Sequence, residues 1–275
     1  MKLFHKHNTA ANHRMDFQTE VSNRKNFQVA EAFKLIRTNL LFTLSKGKNS
    51  LLVTSPEPGV GKSVVASNLA QSLAQTQAKV LLIDADLRQS MQHRIFECPN
   101  SDGLSRLLSD QGEAEEMIQP QSQMPNLHLL TAGPLPPNPV ELLTSERMRE
   151  LLGLFSKQYD YVVIDTPPVG LLSDALVLVP QVSGAVLVTK YHKTTYDMLK
   201  QSAEAIYNAQ GTVLGVILNQ VEESHKEFGK KGYYSKYGKY YGGYDTVVNP
   251  TDKFLRTNRE PQERYRDDDG ESAKN

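Results

Sequence analysis

The stretch best equipped for chemistry is Leu51–Ala70, LLVTSPEPGVGKSVVASNLA. An apolar run enters a turn of Pro and Gly, passes through Gly61-Lys62-Ser63 and leaves in a helical pattern. This is the strand–loop–helix setting in which a glycine-rich loop wraps a phosphate chain. Pro58, Gly59, Val60, Gly61, Lys62, Ser63 and Val64 would form the cradle, with backbone N–H groups turned inward at a helix N-terminus. Lys62 would reach the β- and γ-phosphates, and the Ser63 hydroxyl would hold a magnesium ion. The general motif opens with Gly where this chain has Pro56, but Gly59 and Gly61 still permit close backbone approach. The competing reading is a tight strand-to-helix turn with a chance Gly-Lys-Ser.

Two further runs end in carboxylates. VLLIDADLR, Val80–Arg88, carries Asp84 and Asp86, and YVVID ends in Asp165 before the rigid exit Thr166-Pro167-Pro168. In open parallel sheets, ligands bind at the carboxyl edge of the strands, where all three would stand. Any one of them could be a helix cap or turn residue. Three together, after apolar strands and in a chain with a phosphate loop, indicate a site. Asp86 and Asp165 are the candidate magnesium supports beside Ser63.

These residues need a scaffold, and the pattern supplies one. Ser50–Thr54, Val80–Asp84, Leu127–Thr131, Tyr161–Asp165, Ala185–Thr189 and Val213–Leu218 read as strands, several apolar on both faces. Lys62–Ala74, Val140–Phe155, Ser173–Val179 and Thr195–Ala209 read as helices between them. Repeated alternation of this kind predicts a doubly wound α/β domain with a mostly parallel sheet. A helical face of Val29, Phe33, Ile36, Leu40 and Leu44 precedes the first strand. Residues 1–26, polar with scattered His and Asn, are expected to form a flexible arm, with residues 27–221 as the domain. His5 and His7 are read as part of that arm rather than as a metal site.

The 275 residues carry 31 basic and 31 acidic side chains, so a general polyanion-binding surface is not the first expectation, and no nucleic-acid partner is expected. One cysteine, Cys98, excludes an internal disulfide and suits a reducing compartment. The N-terminus has no apolar run behind its basic residues, and no stretch approaches the roughly 20 apolar residues of a membrane helix. A cytoplasmic location is expected, with any membrane association made through a partner.

Beyond Val221 the composition changes. Gly229–Tyr244, GKKGYYSKYGKYYGGY, holds six of the twelve tyrosines, namely Tyr233, Tyr234, Tyr237, Tyr240, Tyr241 and Tyr244. Without aliphatic side chains it cannot bury a core, so residues 222–275 are expected to form a flexible tail. Tyr and Gly interleaved with Lys fit a row of phosphoacceptors, but equally a weak single-strand nucleic-acid segment or a self-associating tail.

The blocks SPEPGVGKS, LLIDADLR and YVVIDTPP resemble the Walker A, Walker A′ and Walker B motifs of bacterial tyrosine kinases of capsular and exopolysaccharide synthesis. The resemblance extends upstream to EAFKLIRTN, Glu31–Asn39, and downstream to the tyrosine cluster. It implies a P-loop fold, ATP and magnesium as ligands, and autophosphorylation of the six tail tyrosines between subunits. Asp84 and Asp86 would lie near the γ-phosphate and the incoming hydroxyl, with Asp84 placed first as base; one sequence leaves that choice open. Glu31, Lys34 and Arg37 match a Glu-x-x-Arg-x-x-Arg element at subunit contacts of a ring, with Lys34 in place of the first Arg. The implied partners are a membrane-anchored activator of the polysaccharide co-polymerase kind and a cognate tyrosine phosphatase. Two other readings remain on the same motifs. A positioning or partitioning ATPase would carry a lysine where this chain has Glu57, and a nucleotide-gated adaptor would not need Lys62 and all three aspartates.

Overall fold

Strands that are apolar on both faces must sit inside a sheet covered twice, and that constraint dictates the architecture. The computed structural model describes residues 9–44 and 49–221, with side chains from Asn26 onward. Within them β1 (Ser50–Thr54), β2 (Val80–Asp84), β3 (Gln119–Gln121), β4 (Met124–Leu130), β5 (Tyr161–Asp165), β6 (Gly184–Lys190) and β7 (Val213–Asn219) form one sheet. Its order is β3-β4-β2-β5-β1-β6-β7, and only the β3–β4 pair is antiparallel. The doubly wound, mostly parallel sheet expected from the sequence is therefore the observed one. The tyrosine cluster and the rest of the tail lie outside the described residues.

Side chains of one strand alternate between two cores. Leu52, Leu81, Ile83, Val162 and Ile164 face one layer, made by α4 (Leu104–Leu108), α5 (Ala114–Met117), α6 (Pro139–Thr144), α7 (Glu146–Gln158), α8 (Asp174–Leu178) and α9 (Tyr196–Asn208). Leu51, Val53, Val80, Leu82 and Val163 face the other, made chiefly by α1 (Thr9–Thr43) and α2 (Lys62–Ala74). The period-2 alternation of a strand is thus satisfied on both sides with apolar partners.

Three expectations change. The helix begins at Thr9, so residues 9–26 are not an unstructured arm and the expected boundary at residue 26 falls inside α1. The stretch 9–26 contains neither Gly nor Pro, so nothing in it stops a helix that starts further on. The single helix expected at Val140–Phe155 is two, because Ser145 turns extended (φ −62°, ψ 155°) and its hydroxyl accepts the Met148 N–H to cap α7. Between β2 and β4 the chain forms α3 (Gln92–Ile95), α4, α5 and β3, which the sequence pattern did not reveal. Elements of three to five residues hold too few positions to display a period.

Arg37 fastens α1 to α2. Its Nη1 donates to the Ser72 carbonyl at 2.5 Å and to the Ser72 hydroxyl at 3.3 Å. Glu31 and Lys34, in contrast, pair with each other at 2.6 Å on the exposed side. Arg37→Ala should therefore lower the protein's own stability by about 1.5–3 kcal/mol, the usual range for hydrogen bonds that involve a charged group. Denaturant unfolding at fixed protein concentration checks this, and Lys34→Ala should shift the midpoint far less.

Candidate active site

The cradle starts where β1 ends. Gly59 and Gly61 have φ of 73° and 87°, left-handed values that let the loop reverse before α2 begins at Lys62. Two neighbours fix its outer side. A Cβ on Gly170 would lie 2.1 Å from the Pro56 carbonyl oxygen, so the segment after β5 presses directly on the loop. The Asn219 amide, at the end of β7, donates to the Val60 carbonyl at 2.8 Å, and a Cβ on Gly61 would meet it at 2.5 Å.

Lys62 stands at the centre. Its Nζ is 2.8 Å from Asp86 Oδ2, 3.5 Å from Asp165 Oδ1 and 3.1 Å from the Ser63 hydroxyl. Burial alone would lower its pKa, but Asp165 and Asp86 outweigh burial and raise it, so Lys62 stays charged. The sequence had these residues converging, and they do.

The two neighbouring aspartates differ. Asp84 is fully buried and accepts three backbone N–H groups, from Asp86 at 3.2 Å, Met91 at 3.0 Å and Gln92 at 2.9 Å. Burial, reinforced by the Asp165 charge, pushes its carboxyl up to about 8 despite those donors. Asp86 instead turns toward Lys62 and accepts the Gln89 N–H at 2.9 Å. Asp84 has the proton affinity and Asp86 has the reach.

Asp165 is also fully buried, and burial raises its pKa. Its Oδ2 accepts the Gln92 side-chain amide at 2.9 Å, while its Oδ1 makes no hydrogen bond and faces Lys62. Oxygen donors of this kind, Ser63 Oγ with Asp86 and Asp165, suit a hard cation such as magnesium. Among the described residues no three His, Cys, Asp or Glu side chains form a metal cage by themselves. That fits an ion that takes one or two carboxylates and completes its shell with phosphates and water.

Several residues here carried no signal in the sequence. Gln92 is fully buried, and its amide bridges Asp165 to the Ser63 carbonyl at 3.0 Å, tying β5 to the start of α2 through α3. A lone Gln in a four-residue helix resembles any surface residue. Asn219 had a signal, as a polar residue ending an apolar strand, like the three aspartates. Arg88 binds the buried Asp174 at 2.8 Å and so joins the aspartate turn to α8. Cys98 packs in the α1–α2 core, where burial pushes its thiol up to about 11, as expected of an inert cysteine.

The pKa shifts dictate a pH dependence. Asp84 and Asp165 hold their protons more tightly folded than unfolded, so their contribution to stability is fully present below the ordinary carboxylate range and is lost as pH rises, through about 8 for Asp84. Lys62 lowers both values and limits that loss. In Lys62→Met the limit is gone. Its unfolding midpoint should therefore fall more steeply than the parent's between about pH 5 and about pH 8, with the two closest at the acid end.

Comparison with known proteins matches this geometry. Residues 46–241 fit the ParA family model, described as NUBPL iron-transfer P-loop NTPase. The tyrosine-protein kinase YwqD of Bacillus subtilis is 40% identical over 74% of this chain and 86% of its own length. The putative tyrosine-protein kinase CapB of Staphylococcus aureus is 37% identical over 73% of this chain and 88% of its own. Wzc of Salmonella typhimurium, also a tyrosine-protein kinase, is 36% identical over 74% of this chain but only 28% of its own length. Among solved structures, the kinase domain of Escherichia coli tyrosine kinase ETK superposes with a TM-score of 0.69 at 36% identity, over 74% of this chain and 80% of that one. The septum site-determining protein MinD of Pyrococcus horikoshii, 23% identical with a TM-score of 0.54 over 62% of this chain and 70% of its own, shares the fold alone. A P-loop at the carboxyl edge of a parallel sheet, aspartates at the end of β2, just beyond it and at the end of β5, and this level of identity lead to one assignment: the chain belongs to the bacterial tyrosine-protein kinase family of P-loop proteins.

Proposed function

We propose that the protein transfers the γ-phosphoryl group of ATP to tyrosine hydroxyls, first to those of its own tail, within a system that makes and exports capsular or extracellular polysaccharide. The observation that carries this is the convergence of one ammonium, one hydroxyl and three buried carboxylates on the mouth of the loop. Phosphoryl transfer has a loose transition state, so placement and charge neutralisation supply most of the acceleration.

In this reading Pro58–Val64 wraps the phosphates, and Lys62 exchanges its carboxylate partners for the β- and γ-phosphate oxygens. Ser63, Asp86 and Asp165 are the residues that would hold magnesium, which neutralises phosphate charge when bound. With Lys62 on the phosphates, Asp86 and Asp165 would be free to hold that cation. The tyrosine hydroxyl, with a pKa of about 10, loses its proton to the Asp84–Asp86 pair as its oxygen bonds the γ-phosphorus, and the bond from that phosphorus to the β,γ-bridging oxygen breaks so that ADP leaves. Glu57 in place of the lysine of partitioning ATPases supports the kinase reading over theirs.

Assembly belongs to the same proposal. Glu31 and Lys34 lie on the exposed face of α1 and are available to a neighbouring subunit, while Arg37 is already bound to α2. A homo-oligomer, with a ring as one form, would bring a tail to a neighbour's cradle at high effective concentration. Among the described residues no helix is long and apolar enough to cross a membrane, and a membrane-anchored activator would recruit the chain to the inner face of the membrane. A tyrosine phosphatase would reset the tail.

Two experiments test this. Glu31→Ala with Lys34→Ala should lower the mass seen by light scattering without shifting the unfolding midpoint; an unchanged mass removes the α1 face from the interface. Replacing the six tyrosines of 233–244 by phenylalanine should abolish most self-labelling and leave ATP binding intact. Mixing that variant with Lys62→Met should restore label on the Lys62→Met chain, read by mass spectrometry of each chain. Absence of tyrosine phosphate in every mixture would overturn the kinase reading of the tail.

A further inference from the structure

A negative charge sits in the loop that is read as a triphosphate cradle, and the fold neutralises it from elsewhere in the chain. Glu57 lies two residues before Gly59 and its side chain is only 13% exposed. Left alone, a largely buried carboxylate at this place would oppose any polyphosphate bound to the neighbouring N–H groups. It is not left alone. Lys193 Nζ stands 3.4 Å from Glu57 Oε2, and the Thr194 hydroxyl donates to Glu57 Oε1 at 2.9 Å. Lys193 also donates to the Pro58 carbonyl at 3.0 Å and lies 3.9 Å from where a Cβ on Gly59 would stand. One ammonium thus grips both the carboxylate and the outer, carbonyl side of the loop.

The donors come from a braced turn. After β6, the N–H groups of Lys193 and Thr194 both reach the Lys190 carbonyl, at 3.2 and 3.1 Å, and the Lys190 N–H donates to the Thr194 hydroxyl at 2.9 Å. His192 takes a left-handed φ of 56° to close this turn, and Thr195 caps α9 immediately after it by accepting the Met198 N–H. Two consecutive side chains are thereby aimed at one carboxylate more than 130 residues earlier in the chain.

We propose that Lys193 is a positioning residue for nucleotide binding: with Thr194 it latches Glu57 against the β6–α9 turn, cancels its charge and holds the Pro56–Gly59 segment in the shape that accepts a triphosphate. Lys193 acts through Glu57 and the loop backbone, not on the phosphates themselves. The inference rests on the reading of Pro58–Val64 as that cradle. It makes a specific demand: loss of the lysine is harmful because the carboxylate remains, so removing both charges must undo the harm.

Equilibrium titration of the full chain with Mg–ATP, by calorimetry, reads this without any need for phosphotransfer. Lys193→Met should weaken binding about tenfold, since one uncompensated charge then faces the ligand. Lys193→Arg should stay within about twofold of the parent, and Glu57→Gln likewise, because the amide can still accept from Thr194. The double variant, Glu57→Gln with Lys193→Met, should bind far better than Lys193→Met alone, a non-additive cycle. The latch is overturned if Lys193→Met binds as the parent does, or if the double variant is as weak as Lys193→Met. A parent chain that binds no Mg–ATP, or a Lys62→Met chain that binds it undiminished, overturns the cradle reading and the latch with it.

Discussion

Three carboxylates sunk at one edge of a sheet need a cation among them, and Lys62 is that cation, although burial still holds Asp84 at about 8. Much of the architecture can be read from this requirement. β1 must deliver the loop, β2 must deliver Asp84 and Asp86, and β5 must deliver Asp165, and these are the three central neighbours of the sheet, β2-β5-β1. Their registers, Asp84 opposite Asp165 and Val53 opposite Asp165, end the strands level with one another. Parallel pairing puts all three ends on one side, and the two apolar faces exclude the water that would otherwise screen the charges.

The same requirement makes the site poised rather than comfortable. Burial lifts the proton affinity of Asp84 and Asp165, and three backbone donors and Gln92 only partly offset it. A folded core built for stability alone would replace these groups with apolar ones of similar size. Retaining them would suit a site that takes a polyanion at Lys62 and a divalent cation at the carboxylates. Gln92 keeps the α2 start and β5 in register meanwhile, since its one amide group touches both.

Much of this was legible in the sequence, for identifiable reasons. β1, β2 and β5 match their expected bounds residue for residue because five successive apolar or bounding positions leave little freedom. Lys62, Ser63 and the aspartates were legible because their chemistry depends on strand ends, which the pattern locates. Gln92, Arg88–Asp174 and the Lys193–Glu57 pair were not, because each depends on contacts between residues 73 to 136 positions apart, which no local period encodes. Arg37 was legible as part of a stripe but not in its direction. Its stripe partners Glu31 and Lys34 pair on the exposed side, whereas Arg37 turns in to Ser72.

Asn219 bears on the tail in another way. It is the last residue of the sheet, and its amide holds the Val60 carbonyl, so the covalent chain leaves the domain at the lip of the cradle itself. From there Tyr233 is 14 residues on and Tyr244 is 25. At about 3.3–3.6 Å per residue, the chain allows at most roughly 50 Å to the first and roughly 90 Å to the last. The tail tyrosines are thus tethered by a chain whose last described strand ends beside the loop. Dilution cannot carry any of them farther than that from the loop of their own chain, and the nearest and the last differ in reach by about 40 Å.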